Sequence, residues 1–201
     1  MYRFIIGTLI SALTACSFSM DYYHSPNFNS SLNRFQHPDG DPGNKKPSEL
    51  FAVMREFSKR KYDQYEQNGF PVEFSEQGEL STLSESMIWV GQSTILLNHK
   101  GLTVLTDPQF ANRASPLFIG GPKRVTPKPF KIEDLPNIDV VLISHNHYDH
   151  LDRSSIEDLV KHQPSIKFLV PLGLAPTLQK WGAFNVTELD WWQAFNFQGV
   201  E

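Results

Sequence analysis

Ser144-His145-Asn146-His147-Tyr148-Asp149-His150-Leu151-Asp152 directly follows the apolar run Ile138-Asp139-Val140-Val141-Leu142-Ile143. That run is short and β-branched, which predicts a buried strand over 138–143. Past its end, four metal-ligating side chains fall between positions 145 and 150. In an extended or turning segment, side chains two residues apart point to the same side. His145 and His147 can therefore converge on one cation. Asp149 and His150 come after the turn and can reach a second cation a few ångströms away. Imidazole nitrogen and carboxylate oxygen suit zinc, and manganese or iron as well. The plain alternative is a polar loop whose histidines face water or cap the next helix. It explains a lone histidine much better than four ligands packed at a strand end.

Working outward, Met87 to Val90 and Thr94 to Leu97 read as strands on either side of a turn at Gly91. Asn98-His99-Lys100-Gly101 is a hairpin signal with His99 at its tip, and Leu102 to Thr106 is the returning strand. Asp107 stands at that strand's end, before Pro108. From Pro108 to Pro136 the chain is a loop carrying Arg113, Lys123, Arg124, Lys128 and Lys131, long enough to be functional. One reading has its basic residues meet an anionic headgroup or phosphodiester; the other is a solvated, proline-stiffened excursion. After the metal motif, Ser154-Ser155-Ile156-Glu157 reads as a capping box opening a helix through Lys161, with His162 at its C-terminal end. A strand over Ile166 to Val170, a helix over Leu174 to Trp181 and a strand over Phe184 to Leu189 follow. The alternation predicts an α/β layer. Trp181, Trp191 and Trp192 are expected as core or interface anchors.

The pattern His-x-His-x-Asp-His resembles that of the metallo-β-lactamase superfamily. Trp89-Val90-Gly91-Gln92-Ser93-Thr94, Leu105-Thr106-Asp107-Pro108, Arg113-Ala114-Ser115-Pro116, Gly121-Pro122-Lys123-Arg124, Val170-Pro171-Leu172-Gly173 and Glu188-Leu189-Asp190-Trp191-Trp192 are similar to its N-acyl-phosphatidylethanolamine-hydrolysing phospholipase D branch. The likeness runs from about Met87 to Trp192. It implies an α/β fold: over residues 86–201, the N-terminal half of a metallo-β-lactamase-type αββα sandwich. The implied cofactor is a pair of divalent ions, zinc or else manganese or iron. His145 and His147 would hold the first, Asp149 and His150 the second, with Asp149 and His150 as the candidate catalytic pair. Asp107 would be an outer acceptor orienting a metal-bound imidazole; against that stands a turn aspartate bonding its own backbone. Gln92 departs from the related enzymes, where a histidine often stands, and glutamine cannot titrate near neutral pH. The implied reaction is phosphodiester hydrolysis of an N-acyl-phosphatidylethanolamine or related phospholipid, with metal-activated water attacking.

In the related enzymes a further histidine, a bridging aspartate and a last histidine complete the site. By the expected spacing these would fall after Glu201, together with the second sheet, so that one apolar sheet face would lie exposed. The expectation is a fragment, a truncated gene product, or a fold completed by self-association or a second chain. The competing reading is an inactive remnant, or an envelope-anchored binding protein with an incomplete metal site.

With 40% apolar residues the chain can bury a core, and its net charge of −4 gives no basic field for nucleic acid. Residues 1–16 read as an export signal: Arg3 supplies the positive region, and Phe4 to Leu13 an apolar segment too short to span a bilayer. Leu13-Thr14-Ala15-Cys16 resembles the bacterial lipobox, whose cysteine is lipidated; Ser17 after it favours the outer membrane, facing the periplasm. An ordinary cleaved signal or an uncleaved anchor is the alternative. Cys16 is the only cysteine, so no internal disulfide forms. Residues 17–47 read as a polar tether, with His24 and His37 solvated. Residues 48–85 are expected to form a helical extension: Ser48 would cap a helix with Leu50, Phe51, Met54, Phe57 and Tyr65 on one side. Arg55, Lys59, Arg60 and Lys61 lie largely elsewhere, and Asn68-Gly69 and Gln77-Gly78 break the chain. That helix either lies on lipid or packs on the domain. Lipidation at Cys16 is checked by fractionation: Cys16→Ser should leave the membrane fraction and lose incorporated radiolabelled fatty acid, whereas unchanged partitioning and labelling would exclude it.

Overall fold

A computed structural model describes residues 25–37, 46–59, 85–115, 121–128 and 130–201. The export signal with Cys16, His24, Arg60, Lys61, Tyr65 and the breaks at 68–69 and 77–78 lie outside the described residues. Contacts divide the chain into two compact units, residues 1–44 and residues 45–201. The first unit contains a small hairpin of β1 (Phe28–Asn29) and β2 (Arg34–Phe35), closed by an edge-on contact between Phe28 and Phe35 with ring centres 5.1 Å apart.

The second unit opens with α1 (Pro47–Lys59). Ser48 is not its cap. Lys46 precedes the first helical residue, and Glu49 reaches back to accept from the Lys46 N–H at 3.1 Å. Proline suits the first helical position because its missing N–H would have had no partner there. Phe51, expected on the apolar side, is 69% exposed.

Six strands then form one sheet in sequence order: β3 (Ser86–Gly91), β4 (Thr94–His99), β5 (Leu102–Thr106), β6 (Val140–Leu142), β7 (Lys167–Pro171) and β8 (Val186–Leu189). The first three are an antiparallel meander, as the hairpin signal at 98–101 predicts. From β5 onward the pairing is parallel. α2 (Arg153–His162) and α3 (Ala175–Lys180) cross between the later strands, and a 3-10 turn (Ile132–Asp134) lies in the long β5–β6 connection. β6 is shorter than the apolar run that announces it. Before Val140 the Ile138 N–H donates to Gln163 Oε1 at 2.7 Å, while Asp139 still bonds Thr103 and Lys167 through its main chain and accepts from the Thr103 N–H on its carboxylate at 2.8 Å.

One face of the sheet carries the core. The row Leu96–Leu105–Val141–Phe168 runs across paired strands, each residue essentially inaccessible, and Ile156, Leu159 and Leu178 from α2 and α3 close over it. Side chains of alternate residues point the other way, and there Met87 is 72% exposed, Trp89 49% and Leu142 38%. The α/β layer is thus covered on one side. Trp181 packs against the core, but Trp191 is exposed and Trp192 is 95% exposed, so the last two are not core anchors.

The two faces should respond unequally to truncation. Leu105→Ala should lose roughly 2–5 kcal/mol of unfolding free energy in a urea titration, and Met87→Ala no more than about 0.5 kcal/mol.

Candidate metal centre

The motif leaves the carboxyl end of β6, the place where open α/β sheets present ligand-binding groups. Two backbone bonds hold that end: Ile143 N–H donates to Leu169 O at 3.0 Å, and Asp107 N–H to Leu142 O at 2.8 Å. The loop then closes on itself, His147 O accepting from the N–H groups of His150 (3.0 Å) and Leu151 (2.8 Å). Leu151 is buried beneath it. Asp152, not Ser154, caps α2. Its Oδ2 accepts from the Ser155 N–H at 2.9 Å and from the Ser154 and Ser155 hydroxyls at 2.7 and 2.5 Å. A carboxylate outcompetes a serine hydroxyl here because it accepts all three at once.

Asp107 lies buried beside the loop. Its φ of 39° falls in the left-handed region, a strain of roughly 1–2 kcal/mol for a residue with a Cβ. Its Oδ1 accepts from the Ser144 N–H at 2.7 Å. Its Oδ2 accepts from the Ser144 hydroxyl at 2.7 Å and lies 2.9 Å from His150 Nδ1. The carboxylate therefore serves the metal motif, not its own turn.

These contacts set the tautomers of two imidazoles. His150 Nδ1 faces a carboxylate oxygen and so carries a proton; in the neutral imidazole the lone pair then lies on Nε2. Ser144 gives its one hydroxyl proton to Asp107, so its oxygen must accept from His145 Nδ1 at 2.9 Å. His145 Nε2 is then also unprotonated, and it lies 3.0 Å from His147 Nδ1. The His145 ring sits 4.5 Å from that of His147 and 4.0 Å from that of His150, centre to centre. Burial, and then the neighbouring His150 and His147, hold the His145 imidazole below the usual histidine range. It is neutral at neutral pH, the form a cation needs.

The four side chains read from the motif thus come together as two facing pairs. His145 Nε2 meets His147 Nδ1, and His150 Nε2 lies 3.6 Å from Asp149 Oδ2. Among the described residues no three of His, Cys, Asp and Glu form a ready ligand set for one ion. As a donor set, imidazole nitrogens paired with a carboxylate fit a divalent cation. Two participants were not legible as such. Ser144 stands inside the motif, and Gln92 donates from Nε2 to Asp149 Oδ2 at 2.7 Å across a sequence separation of 57.

A cavity of about 580 Å³ opens beside His147 and Asp149, walled by Trp89, Tyr148 and Val125 with Lys123 also on its lining. Among the loop's basic residues, Arg124 is bonded most extensively within that wall. Arg124 donates to Gln109 Oε1 at 2.9 Å, to the Gln109 carbonyl and to Thr126 Oγ1 at 3.3 Å. Burial holds its guanidinium below the usual arginine range, opposed by Asp152. Arg113 donates to Gly121 O at 3.0 Å and Lys131 pairs with Glu133 at 3.0 Å. Arg124 is thus held within the loop, whereas Arg113, Lys123, Lys128 and Lys131 are exposed on it.

A family model described as a beta-lactamase superfamily domain matches residues 103–201. An N-acyl-phosphatidylethanolamine-hydrolysing phospholipase D of Caenorhabditis elegans is 42% identical over 118 residues, covering 54% of this chain and 32% of that protein. The mitochondrial protein of the same name from Saccharomyces cerevisiae is 38% identical over 118 residues, 59% of this chain and 25% of that one. A metal-dependent hydrolase of Koribacter versatilis is 33% identical over 104 residues, 51% of this chain and 38% of its own length. The matched stretch is thus about a third or less of these phospholipase relatives.

Removing the Asp107 carboxylate strands the Ser144 N–H and frees both imidazoles. Asp107→Ala should cost about 1–3 kcal/mol in denaturant unfolding, and Ser144→Ala less, since the His150 bond survives. Proton–nitrogen correlation spectra of the imidazoles should show mixed His145 tautomers in Ser144→Ala and an unchanged His150.

Proposed function

Residues 103–201 belong to the metallo-β-lactamase superfamily, in its N-acyl-phosphatidylethanolamine-hydrolysing phospholipase D-like branch, and we propose that the protein hydrolyses the phosphodiester of an N-acyl-phosphatidylethanolamine or related phospholipid in a metal-dependent reaction. The observation that carries this reading is the pairing of His145 with His147 and of His150 with Asp149, with Asp107 fixing two of the tautomers, at the mouth of an apolar-walled cavity. His145 and His147 would hold one divalent ion, and Asp149 and His150 the other; zinc is the first choice, with manganese or iron accepted by the same donors. Bound there, such ions lower the pKa of water and stabilise charge developing on phosphate. Asp107 and Ser144 keep the imidazole lone pairs turned toward the ions. Trp89, Tyr148 and Val125 exclude water from the apolar part of a substrate, and Lys123 supplies positive charge on the same wall. Several of the relatives that match are hydrolases by name, which favours this reading over an inactive remnant. Lipidation of Cys16 would hold the enzyme on the outer membrane, facing the periplasm, where its substrate lies.

The test is metal content of the purified protein alongside release of phosphatidic acid from N-acyl-phosphatidylethanolamine vesicles. A chelator should abolish turnover and added zinc or manganese restore it. His145→Ala and Asp149→Ala should reduce turnover by more than the roughly 10–100-fold that losing an outer partner costs. A metal-loaded protein that leaves the vesicle lipid and a generic phosphodiester intact would refute the proposal.

A further inference from the structure

We infer that Gln92 is a positioning residue for Asp149, held out on a rigid β3–β4 turn so that its side-chain amide sets the orientation of that carboxylate. The inference rests on the metal-site reading above. The Asp149 side chain is 41% exposed and sits on a loop, so little packing restricts its rotation. Gln92 supplies the restriction through the 2.7 Å bond from Nε2 to Oδ2.

The turn that carries Gln92 is fixed from three directions. The Trp89 indole Nε1 donates to Gln92 O at 2.9 Å, and the Thr106 hydroxyl donates to Ser93 O at 2.8 Å. At Gly91, where φ is 135° and the β3–β4 register shifts, a Cβ would collide with Arg124 Nη1. The guanidinium can press on the turn because position 91 has no side chain, and Gln109 anchors Arg124 in its place. Gln92 itself has φ of 51°, a conformation residues with a Cβ seldom adopt. The backbone that carries the amide is therefore fixed where the side chain reaches Asp149.

The choice of an amide has a chemical consequence. Lysine or arginine would also grip the carboxylate, but its charge would repel an incoming cation. A neutral N–H donor orients Asp149 and leaves its negative charge for the ion. An ionised carboxylate accepts at about four positions, so one bond to Gln92 leaves the rest available.

Two variants separate orientation from folding. Gln92→Met keeps the length and removes the donor; Gln92→His keeps a ring N–H able to donate. Crystal structures of the metal-free wild type and Gln92→Met should show Asp149 bonded to Gln92 in the first and turned away in the second. Zinc titration against a chromophoric chelator should show one ion bound about 10–100-fold more weakly in Gln92→Met, with recovery in Gln92→His and an unchanged melting temperature for all three proteins. An unmoved Asp149 in Gln92→Met, or identical zinc binding, overturns the inference. A wild type that takes up no zinc, manganese or iron overturns the metal-site reading instead, and the crystal structures alone then decide the role of Gln92.

Discussion

A single buried carboxylate governs the functional corner of this molecule. Asp107 ends β5 in a left-handed turn, receives the Ser144 main-chain N–H and hydroxyl, and faces His150. Its own N–H reaches back to Leu142, and its carbonyl accepts from the Thr94 hydroxyl at 2.7 Å. One residue thereby joins the ends of three strands and sets proton placement on two imidazoles. The backbone strain is offset by bonds to a charged acceptor, each stronger than a neutral one. Had Asp107 bonded its own turn, His150 Nδ1 would have kept only the more distant Ser144 hydroxyl at 3.4 Å.

Much of this was legible from pattern. The meander shows in the alternation of 87–106 and in the Asn-His-Lys-Gly turn, and the parallel half in the β–α–β rhythm after position 138. The ligand cluster is also visible, because His145, His147, Asp149 and His150 are close in sequence and their convergence depends mainly on local geometry. What escapes the sequence is long-range. Nothing in the spacing of Gln92 and Asp149 indicates a bond across 57 residues, nor in that of Asp107 and Ser144 one across 37. The cap of α2 was misread for a local reason. Ser154 fits the serine-x-x-glutamate pattern, but Asp152 has three donors within reach of one oxygen.

The basic loop shows how charge counts mislead when geometry is unknown. Arg113 and Arg124 both donate to carbonyl oxygens of the loop itself, Arg113 from an exposed position and Arg124 from a half-buried one. Arg124 gains most by burial beside Gln109, where several acceptors meet one planar fork of donors. Its reward to the fold is a firm wall between the sheet edge and the cavity.

The change from antiparallel to parallel pairing at β5 has a consequence for how the protein assembles. β3, β4 and β5 meet through short turns, so the meander closes few loops and can form early. Pairing β5 with β6 requires bringing together segments separated by the whole stretch from Thr106 to Val140, and the entropy of that closure must be met before any contact rewards it. Asp107 and Ser144 lie on opposite sides of that closure. A nascent chain that has made only the meander has no cation-binding corner, and metal added during refolding would act late, trapping the completed sheet and not guiding its nucleus.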